Sequence, residues 1–295
     1  MKIGVVGAGK WGSALSFALS QKNETLITSK TKRDLPNFVS LSEVLELDYL
    51  VVTVPAQSAS AWLRDHFVYN GQKVLVASKG IEAVSGRFLN EIYAEFIPSD
   101  NIAFLSGPSF ADEVEASLPT ALVVNSTAKT TADEFASFFP SYIKSYVSDD
   151  VIGAEIAGAY KNVIAIAAGV CEGLALGKNA AAALIARGLV EMHRFGVAYG
   201  AKDETFLGLS GAGDLFLSAS SQKSRNFRVG LALAGGKKLD EILEDLGEVA
   251  EGVGTARALQ KIASKKSLYL PIAKEVYELL NGKDPLCSLR DLLSS

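Results

Sequence analysis

The feature that most constrains the fold is a short apolar strand at residues 2–6 followed by the glycine pattern GAGKWG at residues 7–12. A helical pattern of apolar residues begins directly afterwards. A strand, a GxGxxG turn and a helix in this order are the dinucleotide-binding fingerprint of a βαβ unit. Gly7 permits the tight turn, Gly9 lets the backbone approach a pyrophosphate, and Gly12 lets the helix pack on the strand. We therefore expect a dinucleotide at the helix N-terminus.

The segment after the second predicted strand, at residues 25–28, indicates which dinucleotide is bound. An acidic residue about 20 positions beyond the glycines would bind the 2′-hydroxyl of NAD. Here Lys30, Lys32 and Arg33 precede the first acid, Asp34. Three cations favour a 2′-phosphate, so NADP is the expected cofactor and NAD remains possible. A solvated charged turn is the alternative interpretation of the same residues.

Strand and helix patterns alternate up to residue 149. Further strands are predicted at residues 49–54, 73–77, 102–105, 119–124 and 143–147. Continuous hydrophobicity, as at 49–54, suits parallel strands covered by helices on both faces. From residue 150 onward the pattern is almost entirely helical and rich in alanine. The prediction is an α/β chain with an N-terminal Rossmann-type, doubly wound, mainly parallel sheet at residues 1–149, which binds the dinucleotide. An all-α C-terminal domain at residues 150–295 then binds the substrate.

One lysine in the second predicted domain is unusual for its surroundings. Lys161 lies in a small, apolar helical stretch, and no carboxylate stands three or four residues away. A buried ammonium must find a distant partner, extend toward water, or titrate near neutrality as a proton donor. His66 and His193 fall in helical patterns without acid or cysteine partners nearby, so both are predicted to be structural. Histidine is therefore not the expected proton donor.

Other polar residues follow predicted strands or open predicted helices. Lys79 follows the strand at residues 73–77, where open α/β sheets bind ligands. Ser109 follows the turn residues Gly107 and Pro108 and would either cap a helix or hold an oxygen of a ligand. Asp214 follows Gly213 and would either cap the next helix or pair with a lysine. The Ser224–Asn226 cluster is suited to holding a phosphate dianion, although Arg225 would also suit a solvent-facing helix position.

Composition excludes several other classes. Lys and Arg number 29 against 33 Asp and Glu, which leaves no basic excess, so a nucleic-acid partner is not expected. Cys171 and Cys287 are too few for a disulfide framework and are not spaced as a zinc site, so no metal is expected. No apolar run approaches about 18 residues, and the first strand leaves no room for a signal peptide. We therefore expect a cytoplasmic protein without stable membrane insertion.

Seven motifs then occur in a recognisable order. They are GAGKWG at 7–12, SKGIE at 78–82, GPSFA at 107–111, GAYKN at 158–162, GAGDL at 211–215, SRN at 224–226 and EGV at 251–253. Over nearly the whole chain they resemble the bacterial NAD(P)-dependent glycerol-3-phosphate dehydrogenases. The resemblance implies reduction of dihydroxyacetone phosphate to sn-glycerol 3-phosphate for glycerophospholipid synthesis, generally by a homodimer.

The resemblance also implies roles for individual residues. Lys161 matches the catalytic general acid and base, and Lys79 and Asp214 complete the catalytic set. Expected substrate contacts are Lys79, Gly107, Ser109, Lys161, Asn162, Asp214, Ser224, Arg225 and Asn226. Expected cofactor contacts are Gly7, Gly9, Lys10, Trp11, Gly12, Lys30, Arg33, Lys79, Ala111, Arg225, Val249 and Glu251.

The sequence departs from the family pattern at a few positions. Lys10 replaces the usual serine, and residues 23–41 look shortened, as though a helix and a strand had been trimmed. Which of the three cations of residues 30–33 meets the adenosine end therefore stays open. Ser218-Ala219 replaces a Thr-Cys pair. The alternatives are another two-domain NADP-dependent reductase, acting on a hydroxy acid or ketopantoate, and a non-catalytic dinucleotide sensor.

Overall fold

A seven-stranded sheet organises the first half of the chain in the computed structural model, which describes residues 1–294. The strand order is β2-β1-β3-β4-β5-β6-β7. The strands are β1 Lys2–Val6, β2 Glu24–Thr28, β3 Tyr49–Val52, β4 Lys73–Val76, β5 Ile102–Ser106, β6 Thr120–Asn125 and β7 Ile143–Ser148. Neighbouring strands are parallel except β5 and β6, which run antiparallel. The predicted Rossmann-type, mainly parallel sheet is confirmed.

Six helices cover this sheet on both faces. They are α1 Lys10–Ser20, α2 Leu41–Leu45, α3 Ala59–His66, α4 Leu89–Tyr93, α5 Ala111–Glu115 and α6 Lys129–Ser137. Side chains of α1 and α6 pack with Val5 and Leu75 on one face, while α3 and α4 pack with Val6 and Val76 on the other. Successive strand residues therefore supply two separate cores, which explains why the strands read as continuously apolar.

Two predicted boundaries need correction. Strand β3 ends at Val52 and not at residue 54, because the chain turns away from its neighbours before Pro55. The apolar pattern of residues 88–96 likewise predicts a helix over the whole stretch, but only the short helix α4 forms there. Residues 29–40 hold no helix, and one bridge joins Ile27 to Phe38, which agrees with the predicted shortening of this segment.

The remaining described chain is helical. Its helices are α7 Val151–Gly173, α8 Gly177–Val197, α9 Asp203–Leu207, α10 Asp214–Ala219, α11 Arg225–Ala234, α12 Leu239–Leu246, α13 Glu251–Lys266, α14 Pro271–Leu280 and α15 Pro285–Ser294. The predicted all-α second half is confirmed. Ser295, the last residue of the predicted second domain, lies outside the described residues.

Helix α7 is the centre of the helical half. It is 23 residues long and its most apolar 18-residue window has a mean hydropathy of 1.3, so within residues 1–294 it alone is long and apolar enough to cross a membrane. The expectation that no apolar stretch approaches this length is therefore wrong. However, 94% of its most apolar window is buried inside the protein. Its composition follows from burial, because α8, α10, α11 and α13 all pack against it.

Helices α7 and α11 cross with their backbones in direct contact. A Cβ at Gly230 would overlap the carbonyl oxygen of Ile166, and a Cβ at Gly169 would overlap that of Phe227. Only glycine fits both positions. The crossing brings Arg225, at the start of α11, close to the segment of α7 that carries Lys161.

We expect Gly230→Ala to lower the free energy of unfolding by at least about 1–3 kcal/mol, the usual cost of overpacking a dense core. Its new methyl group would meet rigid backbone and not a movable side chain. Urea denaturation measures this effect. Gly235→Ala at the end of the same helix is the control, since its Cβ would come no closer than 3.4 Å to other atoms. Equal stability of the two variants would contradict the tight crossing.

Candidate active site

Two lysines from different halves of the chain meet on one buried carboxylate. Lys161 Nζ on α7 donates to Asp214 Oδ1 at 2.5 Å, and Lys79 Nζ, just beyond β4, donates to Asp214 Oδ2 at 2.6 Å. The side chains of Asp214, Lys161 and Lys79 are only 1%, 10% and 18% exposed. Of the alternatives for Lys161, extension toward water is excluded, because its side chain is buried and has a distant partner. The capping interpretation of Asp214 is wrong, because its carboxylate is engaged by the two lysines.

The surroundings of Lys161 shift its pKa toward neutral pH. Burial lowers the pKa of Lys161 to about 8, with Asp214 raising it and Lys79 lowering it. Burial would raise the pKa of Asp214, but the two lysines outweigh this and hold the pKa below its usual value. The site therefore contains an ionised carboxylate and a lysine that can exchange its proton near physiological pH.

A second hydrogen-bond partner of Lys161 was not predicted from the sequence. Lys161 Nζ also donates to Ser218 Oγ at 2.8 Å. Ser218 lies four residues after Asp214 on α10, so both side chains share one face of that helix. The four-residue spacing of Asp214 and Ser218 was the sequence signal for this contact. It could be interpreted only after the structure showed that Lys161 faces α10.

Most polar atoms of the Ser224–Asn226 cluster bind the protein itself. Ser224 Oγ accepts from the Phe227 amide at 3.3 Å and caps α11. Asn226 Nδ2 donates to Asn162 Oδ1 at 2.9 Å, and Asn226 Oδ1 accepts from the Gly252 amide at 3.0 Å. Arg225 is half-exposed. Of this cluster, Arg225 is the side chain best placed to receive an anion.

The glycine-rich turn fits a pyrophosphate. Gly7 has a φ of +106°, a left-handed conformation that favours glycine. A Cβ at Gly12 would overlap the carbonyl oxygen of Gly7, so α1 packs directly on the turn. No atom lies within 4 Å of a Cβ built on Gly9, and no side chain caps α1. The first amides of α1 therefore face open space that can take an anion.

Two further predicted cofactor residues, Trp11 and Glu251, make contacts beyond their own helices, and the contact of Glu251 joins the two halves of the chain. Trp11 Nε1 donates to the Ala77 carbonyl at 3.0 Å. Glu251 Oε1 accepts from the Ala56 amide at 2.9 Å, while its Oε2 is buried without a hydrogen-bond partner. Burial raises the pKa of Glu251. A buried oxygen left without a partner beside the strand ends fits a site that a dinucleotide would complete.

The remaining predicted cofactor residues lie where the sheet half and the helical half meet, a region that we call the cleft, or on exposed loops nearby. Lys10 forms an ion pair with Glu248 at 2.5 Å, across the cleft. Lys30, Lys32 and Arg33 are exposed beyond β2, Val249 is about half-exposed, and Ala111 is the first residue of α5.

Two further sequence interpretations are settled by the geometry. Phe110, and not Ser109, is the N-cap of α5; Ser109 Oγ donates instead to the Gly107 carbonyl at 3.4 Å. His193 does have an acidic partner, because its Nε2 lies 2.7 Å from Asp203 Oδ1 on the neighbouring α9. The prediction that it lacks one is wrong. Across the described residues, no group of three or more His, Cys, Asp or Glu is arranged to hold a metal ion.

A Rossmann sheet with an open glycine-rich turn, together with a buried lysine pair to which the sheet half and the helical half each contribute one lysine, defines the class of two-domain dinucleotide-dependent dehydrogenases. Family models for the N-terminus and C-terminus of NAD-dependent glycerol-3-phosphate dehydrogenase match residues 29–132 and 150–290. The chain belongs to this family, which confirms the resemblance seen in the sequence.

Similar proteins cover the whole chain. A curated NAD(P)+ glycerol-3-phosphate dehydrogenase of Sulfurimonas denitrificans is 69% identical over 100% of this chain and 99% of its own length. The NAD(P)+ glycerol-3-phosphate dehydrogenase of a Nitratiruptor species is 60% identical over 99% of this chain and 98% of its own length. The crystal structure of glycerol-3-phosphate dehydrogenase from Coxiella burnetii superposes with a TM-score of 0.93 at 30% identity, covering 100% of this chain and 99% of that one.

Proposed function

We propose that the protein reduces dihydroxyacetone phosphate to sn-glycerol 3-phosphate with NADPH or NADH. The observation that carries the proposal is the buried Lys161–Asp214–Lys79 group beside an open glycine-rich turn, in a chain of this family. Residues 1–149 would bind the dinucleotide and residues 150–295 would complete the substrate site. We further propose that the product feeds glycerophospholipid synthesis in the cytoplasm. The active form would be a homodimer, for which Val190 and Val197 offer exposed apolar surface on α8.

The bound dinucleotide supplies the hydride. Lys161 stabilises and protonates the carbonyl oxygen as negative charge develops on it, so its N–H bond breaks while the new O–H bond forms. The resulting neutral amine regains a proton from solvent. Asp214 holds Lys161 in place, and Lys79 adds positive potential and lowers the pKa of Lys161. The proton-transfer role of Lys161 follows from its position and its shifted pKa.

Arg225 is the proposed anchor for the substrate phosphate. Its half-exposed guanidinium stands at the first position of α11, and its contact with Glu248 is a long 3.5 Å, which leaves most donors available. Binding energy gained at the phosphate would align the distant carbonyl with Lys161 and the cofactor.

The loop after β2 supports a preference for NADP. Lys30, Lys32 and Arg33 are all exposed there. A 2′-phosphate would find up to three cations and no competing carboxylate ahead of Asp34. NAD would lack this attraction but would keep the contacts at the glycine-rich turn.

The test is the oxidation of NADPH and of NADH by the purified protein with dihydroxyacetone phosphate, followed by loss of dinucleotide absorbance. We expect turnover with both cofactors, a lower KM for NADPH, and much slower reaction with unphosphorylated dihydroxyacetone. Equal use of the unphosphorylated ketone, or reduction of ketopantoate, would favour the alternative reductase. Binding of NADPH without any turnover would favour a dinucleotide sensor.

The pH dependence of kcat gives an independent prediction. Because the pKa of Lys161 is lowered to about 8, its protonated form, which reduction requires, predominates below that pH. We expect kcat for reduction to be constant below pH 8 and to fall roughly tenfold per pH unit well above it. The reverse reaction needs the neutral amine and should rise through the same region. Saturating initial rates between pH 6 and 10 measure both, and a reduction rate unchanged to the top of that range would contradict the role of Lys161.

A further inference from the structure

A buried carboxylate on α7 reaches the half of the chain that holds the sheet. Glu155 is 6% exposed, and its Oε2 accepts from the Asn90 amide at 2.8 Å. The neighbouring Leu89 amide also lowers the pKa of this carboxyl group. Both amides belong to the first turn of α4, where amides have no partner within the helix. Glu155 therefore caps a helix of the other half of the chain.

Helix α4 ends the segment that carries Lys79. That segment leaves the sheet at Val76 and enters α4 at Leu89, with a bridge between Ile81 and Phe88 near its end. One end is fixed by β4 and the other by the contact with α7. The position of Lys79 thus depends on how firmly α4 is held.

The same helix also contacts Lys79 directly. A Cβ at Gly158 would lie 3.3 Å from Cγ and Cδ of Lys79, so the lysine stem packs on the α7 backbone. Glu155 and Gly158 are three residues apart and share one face of α7. Glu155 and Lys79 also line one cavity of about 10 Å³, with Ser78 and Ser106. This space suits a single water molecule among polar groups.

We propose that Glu155 is a positioning residue of the active site, which caps α4 and thereby sets the distance between Lys79 and Lys161 across Asp214. The proposal rests on the proposed function for its catalytic readout. Glu155 itself touches neither lysine by a hydrogen bond, and it acts through the α4 amides and the segment that they anchor.

The contact requires an acceptor oxygen more than a charge. The titratable groups that face Glu155 are Glu91 and Tyr93 on α4, with Lys79 across the small cavity. Burial raises the pKa of Glu155 to about 8, and the Asn90 and Leu89 amides lower it only in part. Near neutral pH the protonated carboxyl group is therefore well populated. A glutamine at this position, which is uncharged and has an acceptor oxygen, should make the same contact with the α4 amides.

The test compares Glu155→Gln with Glu155→Leu. We expect Glu155→Gln to retain kcat within about threefold, and Glu155→Leu to lose tenfold or more, because displacements near 1 Å in an active site cost up to about 10²-fold. Lys79 lowers the pKa of Lys161, so the pH at which kcat falls should move upward in Glu155→Leu only. Competitive acetylation of Lys161 followed by mass spectrometry reads the same pKa without turnover.

Glu275→Leu is the matched control, because Glu275 is also buried but lies on α14 and pairs with Lys283. It should lower the melting temperature without moving the pKa of Lys161. An unchanged pKa in Glu155→Leu, or a Glu155→Gln variant as impaired as Glu155→Leu, would overturn the inference. Absence of dihydroxyacetone phosphate reduction by the unmodified protein would instead overturn the proposed function, and the acetylation result would still decide the positioning role.

Discussion

An enzyme with Lys161→Ala is expected to lose a factor of about 10²–10⁴ in kcat, the usual contribution of a general acid. The lysine is the buried cation whose proton is exchangeable near neutrality, and its place beside Asp214 would be left to water. Dinucleotide affinity should change little, because the glycine-rich turn is built from α1 and β1. Saturating initial rates and NADPH fluorescence titration measure the two quantities separately.

Lys178→Ala provides a control for loss of a lysine in the same half of the chain. Lys178 is exposed on α8 and pairs with Glu172 at 3.0 Å, away from the cleft. This variant should keep the kcat of the unmodified protein. A Lys161→Ala enzyme with near-normal turnover would rule out Lys161 as the proton donor.

Asp214→Asn is expected to affect both stability and turnover. Removing one partner from a buried ion pair typically costs about 3–5 kcal/mol, and here two ammonium groups would face each other without a carboxylate between them. The pKa of Lys161 should fall further, since Asp214 raises it. We expect kcat at neutral pH to fall by about 10²-fold or more, as the protonated lysine becomes scarce and misplaced.

A second variant separates charge repulsion from loss of packing. Adding Lys79→Met to Asp214→Asn removes one of the two facing ammonium groups and should recover part of the lost stability. Guanidinium denaturation of the unmodified protein, both single variants and the double variant gives the coupling between the two positions. Purely additive effects would show that Asp214 does not mediate between the lysines.

The sequence was most informative where the physical cause is local. The turn at residues 7–12 and the continuous apolar strands depend on neighbouring residues, so the Rossmann sheet and its glycine-rich site were predictable. The one antiparallel pairing, between β5 and β6, could not be predicted, because a strand that is buried on both faces suits either direction.

The partners of the site residues were less predictable, since they come from distant parts of the chain. Asp214 is 53 positions from Lys161, and periodicity alone left three fates open for the lysine. His193 contacts Asp203 only because the chain reverses direction between α8 and α9. Capping signals at Ser109 and Asp214 were misleading for a related reason, as a side chain that suits a helix start suits a tertiary contact equally well.

The glycine crossing of α7 and α11 affects how this protein can diverge among descendants. Under the proposed role of residues 30–33 in cofactor choice, single changes in this exposed loop would move a lineage between the two nicotinamide cofactors at little cost to the core. At Gly169 and Gly230 every larger residue collides with backbone, so purifying selection should act there as strictly as on a reacting group. Two residues that take no part in the chemistry would then be among the slowest to change.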